Sequence, residues 1–192
     1  MKEHHNDAPA HIVVDMLYDF IDGTLACGNA ENAVHEVVKY INAHPDQKVY
    51  YVTDAHPANH SSFSDFGGIW PVHCVAGTHG GAIHEAFYTD VINPANRPDP
   101  NTNIFRKGFK PEEEQYSGFE AVGADGRKLS EVAGENLVIS GIATEYCVYN
   151  TVKEFFNANH NIELLVSGLG YVDKDGHVKT LKELEKMVTV VK

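Results

Sequence analysis

Apolar residues along this chain fall into two patterns, short uninterrupted runs and wider spacings of three and four. The runs at 11–16 (HIVVDM), 48–53 (KVYYVT), 137–139 (LVI) and 162–166 (IELLV) are rich in β-prone residues and bounded by polar ones. Such runs are expected of strands buried on both faces. Residues 103–106 read as a shorter strand in sequence between the second run and the third, and 188–191, rich in Thr and Val, read as a sixth. Between them lie helical spacings. Val34, Val37, Val38 and Ile41 share one face of a helix over 32–43 that Pro45 helps to end. A short helix is expected over 127–133 and another over 181–187. Val148, Val152, Phe155 and Phe156 mark a helix that opens at Cys147 and runs to about 158.

This alternation predicts an α/β domain whose largely parallel sheet of about six strands carries helices on both faces, a Rossmann-like three-layer arrangement. Residues 55–106 are rich in His, Pro, Gly and Asn with little periodicity, and read as long functional loops on that scaffold. The 192 residues suffice for one domain, expected over 11–192 after a flexible start at 1–10.

Charge narrows the partners. A net charge of −12 opposes attraction to nucleic acid or anionic lipid. The first apolar run is interrupted by Asp15 and Asp19, so it is neither a signal core nor a membrane span, and a cytoplasmic protein is expected. The three cysteines, Cys27, Cys74 and Cys147, are too few and too far apart for a secreted disulfide framework.

Reactive side chains gather at the expected carboxyl ends of strands, the rim where open α/β sheets bind ligands. Asp15, Lys107 and Cys147 each occupy such a position. A thiol in the first helical turn lies near the positive end of the helix dipole and beside unpaired backbone N–H groups, which favours a thiolate and offers donors to an oxyanion. A cysteine nucleophile needs a base and a cation, and Asp15 and Lys107 are of the right types. The stretch VTDAHPANH followed by WPVHC adds Asp54, His56, His60 and His73, oxygen and imidazole donors able to take zinc, manganese or iron with positions left for water. The chain has neither a Gly-x-Gly-x-x-Gly fingerprint nor a P-loop, so nucleotide phosphate binding has no support.

VDMLYDF, VTDAHPANH with WPVHC, FRKG with YSGF, and GIATEYCV occur in that order from about residue 12 to 158. Together they resemble the isochorismatase-like cysteine hydrolases, and among them the metal-containing nicotinamidases, also called pyrazinamidases. The resemblance implies a catalytic triad of Asp15, Lys107 and Cys147, with Asp54, His56 and His73 as ligands of one divalent metal ion per chain and His60 close to it. Zinc is the first choice of metal, with iron or manganese also suited. It further implies a pocket walled by Phe20, Leu25, Trp70 and Tyr116. The bond before Ala143 would be cis, aiming the N–H groups of Ala143 and Cys147 at an oxyanion. The implied reaction is hydrolysis of a small neutral aromatic amide, nicotinamide, to nicotinate and ammonia through a thioester, with pyrazinamide also accepted, as a step of pyridine nucleotide salvage. Assembly with further copies of the chain is left open.

Two places depart from the family pattern: Leu17 and Tyr18 stand where many relatives have Gln-Asn, and Tyr146 stands where a histidine is common. The alternatives are hydrolysis of another small amide or ureido compound by the same triad and, in a different class, a non-catalytic metal-binding or redox protein using Cys74 and Cys147.

Overall fold

The structure is a computed structural model that describes residues 8–191. The expected flexible start therefore lies outside the described residues for 1–7, and Ala10 already belongs to the first strand.

The elements in order are β1 (Ala10–Val14), α1 (Tyr18–Ile21), α2 (Ala30–Ala43), β2 (Val49–Asp54), α3 (Ala86–Thr89), β3 (Ile104–Lys107), α4 (Leu129–Val132), β4 (Asn136–Gly141), α5 (Tyr149–Asn157), β5 (Asn161–Leu169), α6 (Lys174–Leu184) and β6 (Thr189–Val191). The six strands form one sheet in the order β3-β2-β1-β4-β5-β6, and every pairing is parallel. The chain first winds outward from β1 to β3, then returns beside β1 and winds the other way. The reversal puts a crevice at the carboxyl ends of β1 and β4, where ligands bind in such sheets.

Strand alternation divides the core into two layers. Val13, Tyr51, Val138 and Leu165 pack with Val34, Val37 and Ile41 of α2. Ile12, Val14, Val52, Ile139 and Leu164 face the other way, toward Val152 and Phe155 of α5 and Leu184 of α6. Burying a side chain of this size contributes about 1.5–3 kcal/mol, so the two apolar faces of β1 hold the central strand between the layers.

Two expected elements differ. α6 begins at Lys174, seven positions before the expected 181, because Asp173 caps it by accepting the Gly176 N–H at 2.6 Å. Its early turns carry few apolar residues, so periodicity does not reveal them. The helix expected to open at Cys147 is preceded by a wider π-type turn over Thr144–Val148, and α5 proper starts at Tyr149. The loops between β2 and β3 hold only short turns of helix, as their composition implies. Among the described residues, no helix is long and apolar enough to cross a membrane.

Candidate active site

Strand register brings the reactive groups together. Val14 pairs with Gly141, so Asp15 leaves β1 beside the turn that carries Cys147. Gly141 is required there: its φ is 133°, and an added Cβ would lie 2.0 Å from the Val14 carbonyl oxygen. Asp54 and Lys107 pair directly across β2 and β3. Asp15 itself has φ of 51°, a left-handed conformation that costs a residue with a Cβ about 1–2 kcal/mol. Its N–H donates to the Val52 carbonyl at 2.9 Å, and its carbonyl accepts from Leu17 at 2.8 Å.

The buried ammonium of Lys107 is the hub. It lies 2.9 Å from Asp15 Oδ2, 2.5 Å from Asp54 Oδ1 and 3.5 Å from Cys147 Sγ. Asp15 Oδ1 accepts the Asp54 N–H at 2.8 Å. Oδ2, although paired in charge with the ammonium, accepts no well-directed hydrogen bond, so its lone pair is open to a proton from the thiol.

Burial and charge set the protonation states. Burial first, and then the nearby Asp54, push the Asp15 carboxyl up to about 6 against the pull of Lys107. Burial would also raise Asp54, yet Lys107 and His56 outweigh it and hold that carboxyl below its ordinary value. Burial opposes the charge on Lys107, but the carboxylates of Asp15 and Asp54 keep the ammonium protonated. For Cys147, burial pushes the thiol up and Asp15 and Asp54 add to it, with only Lys107 opposing. Near neutral pH the site holds a neutral thiol beside an ionised carboxylate, an acid and base ready to exchange one proton.

The metal-type donors adjoin this cluster. Ligand atoms of Asp54, His56 and His73 lie within 4.8 Å of one another. His56 Nδ1 donates to the Gly108 carbonyl at 2.8 Å, and His73 Nδ1 to the Pro71 carbonyl at 2.7 Å. Each bond fixes the tautomer and leaves Nε2 with a free lone pair, the usual arrangement around a metal-binding imidazole. Burial pushes His73 down toward the neutral form that a ligand requires. Burial would lower His56 too, but Asp54 holds it above the ordinary imidazole value. Gly108 permits the approach: its φ is 65°, and a Cβ would sit 2.6 Å from His56 Cε1. One carboxylate and two imidazoles with open positions fit a divalent cation. His60, expected near the metal, lies against His56 with ring centroids 4.0 Å apart and the rings tilted by 34°, but it is not in the donor group.

Over Cys147 lies a pocket whose lining brings together Phe20, Leu25, Trp70 and Tyr116, and also includes Tyr146 and Glu114. Trp70 Nε1 donates to the Tyr116 hydroxyl at 3.1 Å, and the Trp70 and Tyr146 rings meet edge to face at 4.9 Å. Tyr146, visible in the sequence only as a departure from the family pattern, is thus a wall. The other departures anchor a loop: Leu17 bridges to Ile83, and the Tyr18 hydroxyl accepts the Glu85 N–H at 3.1 Å. The Ile142–Ala143 peptide is cis, and the Ala143 N–H takes no backbone partner among the described residues. A more polar cleft at the amino ends of β4 and β5, lined by residues such as Asn136, His160 and Glu163, holds no comparable constellation. Cys27, Cys74 and Cys147 are all free thiols.

The chain resembles known proteins in sequence and in fold. The model of the isochorismatase domain matches residues 9–192. A nicotinamidase/pyrazinamidase of Mycobacterium tuberculosis is 29% identical over 184 residues, which span 91% of this chain and 93% of that protein. The pyrazinamidase of Pyrococcus horikoshii in complex with zinc superposes with a TM-score of 0.80 at 28% identity, covering 96% of this chain and 98% of that one. PnC1 from L. infantum in complex with nicotinate gives a TM-score of 0.75 at 26% identity, covering 97% and 93%.

Proposed function

This chain belongs to the isochorismatase family, and we propose that it hydrolyses the carboxamide of nicotinamide to nicotinate and ammonia, and that of pyrazinamide likewise. The observation that carries the reading is the Lys107 ammonium placed 2.9 Å from Asp15 and 3.5 Å from Cys147 beneath an aromatic pocket. Relatives named for nicotinamidase activity, and one solved with nicotinate, support the choice of substrate.

The flat pyridine ring fits between Phe20 and Trp70, with its carboxamide toward Cys147. Asp15 takes the thiol proton at Oδ2, and Lys107 stabilises both the carboxylate and the thiolate it leaves behind. The thiolate attacks the amide carbon, and the carbonyl oxygen becomes an oxyanion facing the N–H groups of Ala143 and Cys147. When the C–N bond breaks, Asp15 returns its proton to the nitrogen, ammonia departs and a thioester remains on Cys147. Water then gives a proton to Asp15 and attacks the thioester carbon. The released thiolate is reprotonated by Asp15, and the nicotinic acid formed leaves and gives its proton to solvent as nicotinate.

Asp54, His56 and His73 would hold a divalent cation, zinc foremost, and iron or manganese would suit the same donors. When bound, such an ion supplies Lewis-acid coordination that grips and orients the pyridine ring nitrogen, directly or through water. The protein's own side chains carry every proton transfer.

Ammonia release from nicotinamide, pyrazinamide and several ureido acids tests the assignment. The two aromatic amides should be turned over and the ureido acids scarcely at all. Faster hydrolysis of a ureido acid would reassign the substrate class while leaving the triad in place.

A further inference from the structure

His60 is completely buried, and both of its ring nitrogens are engaged. Nδ1 lies 2.7 Å from the Ser62 hydroxyl and accepts the Ser62 N–H at 3.2 Å. Nε2 lies 3.1 Å from the carbonyl oxygen of Glu113, which can only accept, so the ring proton sits on Nε2. A histidine in that tautomer with those partners has no lone pair left for a cation. Its bond to Glu113 instead crosses to the stretch 108–116, which leaves β3 directly after Lys107.

That stretch is a strap over the pocket. The Ser61 N–H donates to the Pro111 carbonyl at 2.7 Å, and the Gly108 N–H donates to Gln115 Oε1 at 3.1 Å. Immediately beyond the His60 contact, Glu114 and Tyr116 enter the pocket wall, and the Tyr116 hydroxyl accepts from Trp70. The residues that shape one side of the pocket thus hang from a backbone carbonyl fastened by His60.

We infer that His60 is a positioning residue that latches the 108–116 strap to the metal-side loop and so sets the pocket's width, without ligating the cation itself. The inference rests on the site proposed above, but two of its three readouts do not depend on which amide is the substrate.

His60→Asn retains an oxygen near the Nδ1 position but cannot reach Glu113. His60→Gln extends an amide N–H to the Nε2 position and restores the reach. Both are poor replacements for a ligating imidazole. The full chain and the two variants are loaded with zinc, dialysed and measured for zinc content, for hydrogen exchange over 108–116 and for turnover of nicotinamide. In His60→Asn, exchange in the strap should rise about tenfold and KM about threefold to tenfold, as for loss of one net hydrogen bond, with kcat changed less than KM. His60→Gln should restore both toward the original, and zinc content should be retained in both variants. Loss of zinc in His60→Gln would overturn the inference and make His60 a ligand, and that result holds even if His60→Asn does not fold. Unchanged strap exchange in a folded His60→Asn protein would overturn it equally.

Discussion

The ammonium of Lys107 lies 2.5 Å from Asp54 Oδ1, while Oδ2 of the same Asp54 lies 3.4 Å from His56 Nε2 within the donor group that includes His73. One carboxylate therefore adjoins both the Asp15–Lys107–Cys147 cluster and the donor group of Asp54, His56 and His73. The pairing follows from β-sheet register, since Asp54 and Lys107 are direct partners across β2 and β3.

Asp54→Asn should therefore lower zinc content and kcat together, whereas His73→Ala should lower zinc content and substrate affinity while leaving Lys107 with both its carboxylates. Asp54→Asn removes one of the two carboxylates that hold the Lys107 ammonium, an interaction worth about 1.5–3 kcal/mol, so a kcat at least roughly tenfold lower than in His73→Ala is expected. Zinc analysis with steady-state kinetics at saturating nicotinamide checks it. Equal kcat in the two variants would show that Asp54 serves only the cation.

The positions of Asp15, Lys107 and Cys147 are legible in the sequence because each lies at or just past the end of an apolar strand: Asp15 after Val14, Lys107 at the end of β3, and Cys147 in the turn after β4. Asp54, the last residue of β2, and His56 just beyond it are legible for the same reason, whereas His73 lies in the following loop and is legible only through the WPVHC stretch. What escapes is whatever depends on contacts distant in sequence. Tyr146 joins the pocket because a wide turn aims it at Trp70, and no local pattern announces that turn. The contact of Asp54 with Lys107 needs the β2–β3 register, and the Glu113 carbonyl that His60 reaches lies on a loop with no periodicity. The early turns of α6 rest on the Asp173 cap, whose Gly176 partner weakens any helical reading.

His11 supplies a pH dependence of stability. Burial, and then the neighbouring His44, push its imidazole down from 6.5 to about 3, and it holds the Ser140 hydroxyl at 2.8 Å deep in the sheet. Between those two values the unfolded chain binds a proton that the folded chain refuses. Its contribution is therefore complete above the unfolded value and is lost as pH falls toward the folded one, by about 1.4 kcal/mol per pH unit. Urea unfolding at pH 7.5, 6 and 5 should show this extra loss in the original chain and not in His11→Asn. Parallel losses in both would assign the acid sensitivity elsewhere.

Ring recognition predicts a substrate order. Benzamide keeps the flat ring and the carboxamide but lacks the pyridine nitrogen, leaving the cation site without its partner. Its kcat/KM should fall about tenfold to a hundredfold below that of nicotinamide, the usual cost of an unmade buried polar contact, while pyrazinamide stays close. Competition kinetics with the three amides decides it, and equal values for benzamide and nicotinamide would mean that the ring nitrogen is not read.

The claim on which the rest depends is that Cys147, activated by Asp15 and Lys107, is acylated by nicotinamide. The zinc-loaded enzyme mixed with nicotinamide, quenched in acid within milliseconds and digested should show one nicotinoyl group on the peptide containing Cys147. The adduct should be missing in Cys147→Ala, which should also lose turnover by about a thousandfold or more while retaining its fold and zinc. An adduct on Cys74, or ammonia release persisting in Cys147→Ala, would contradict the account.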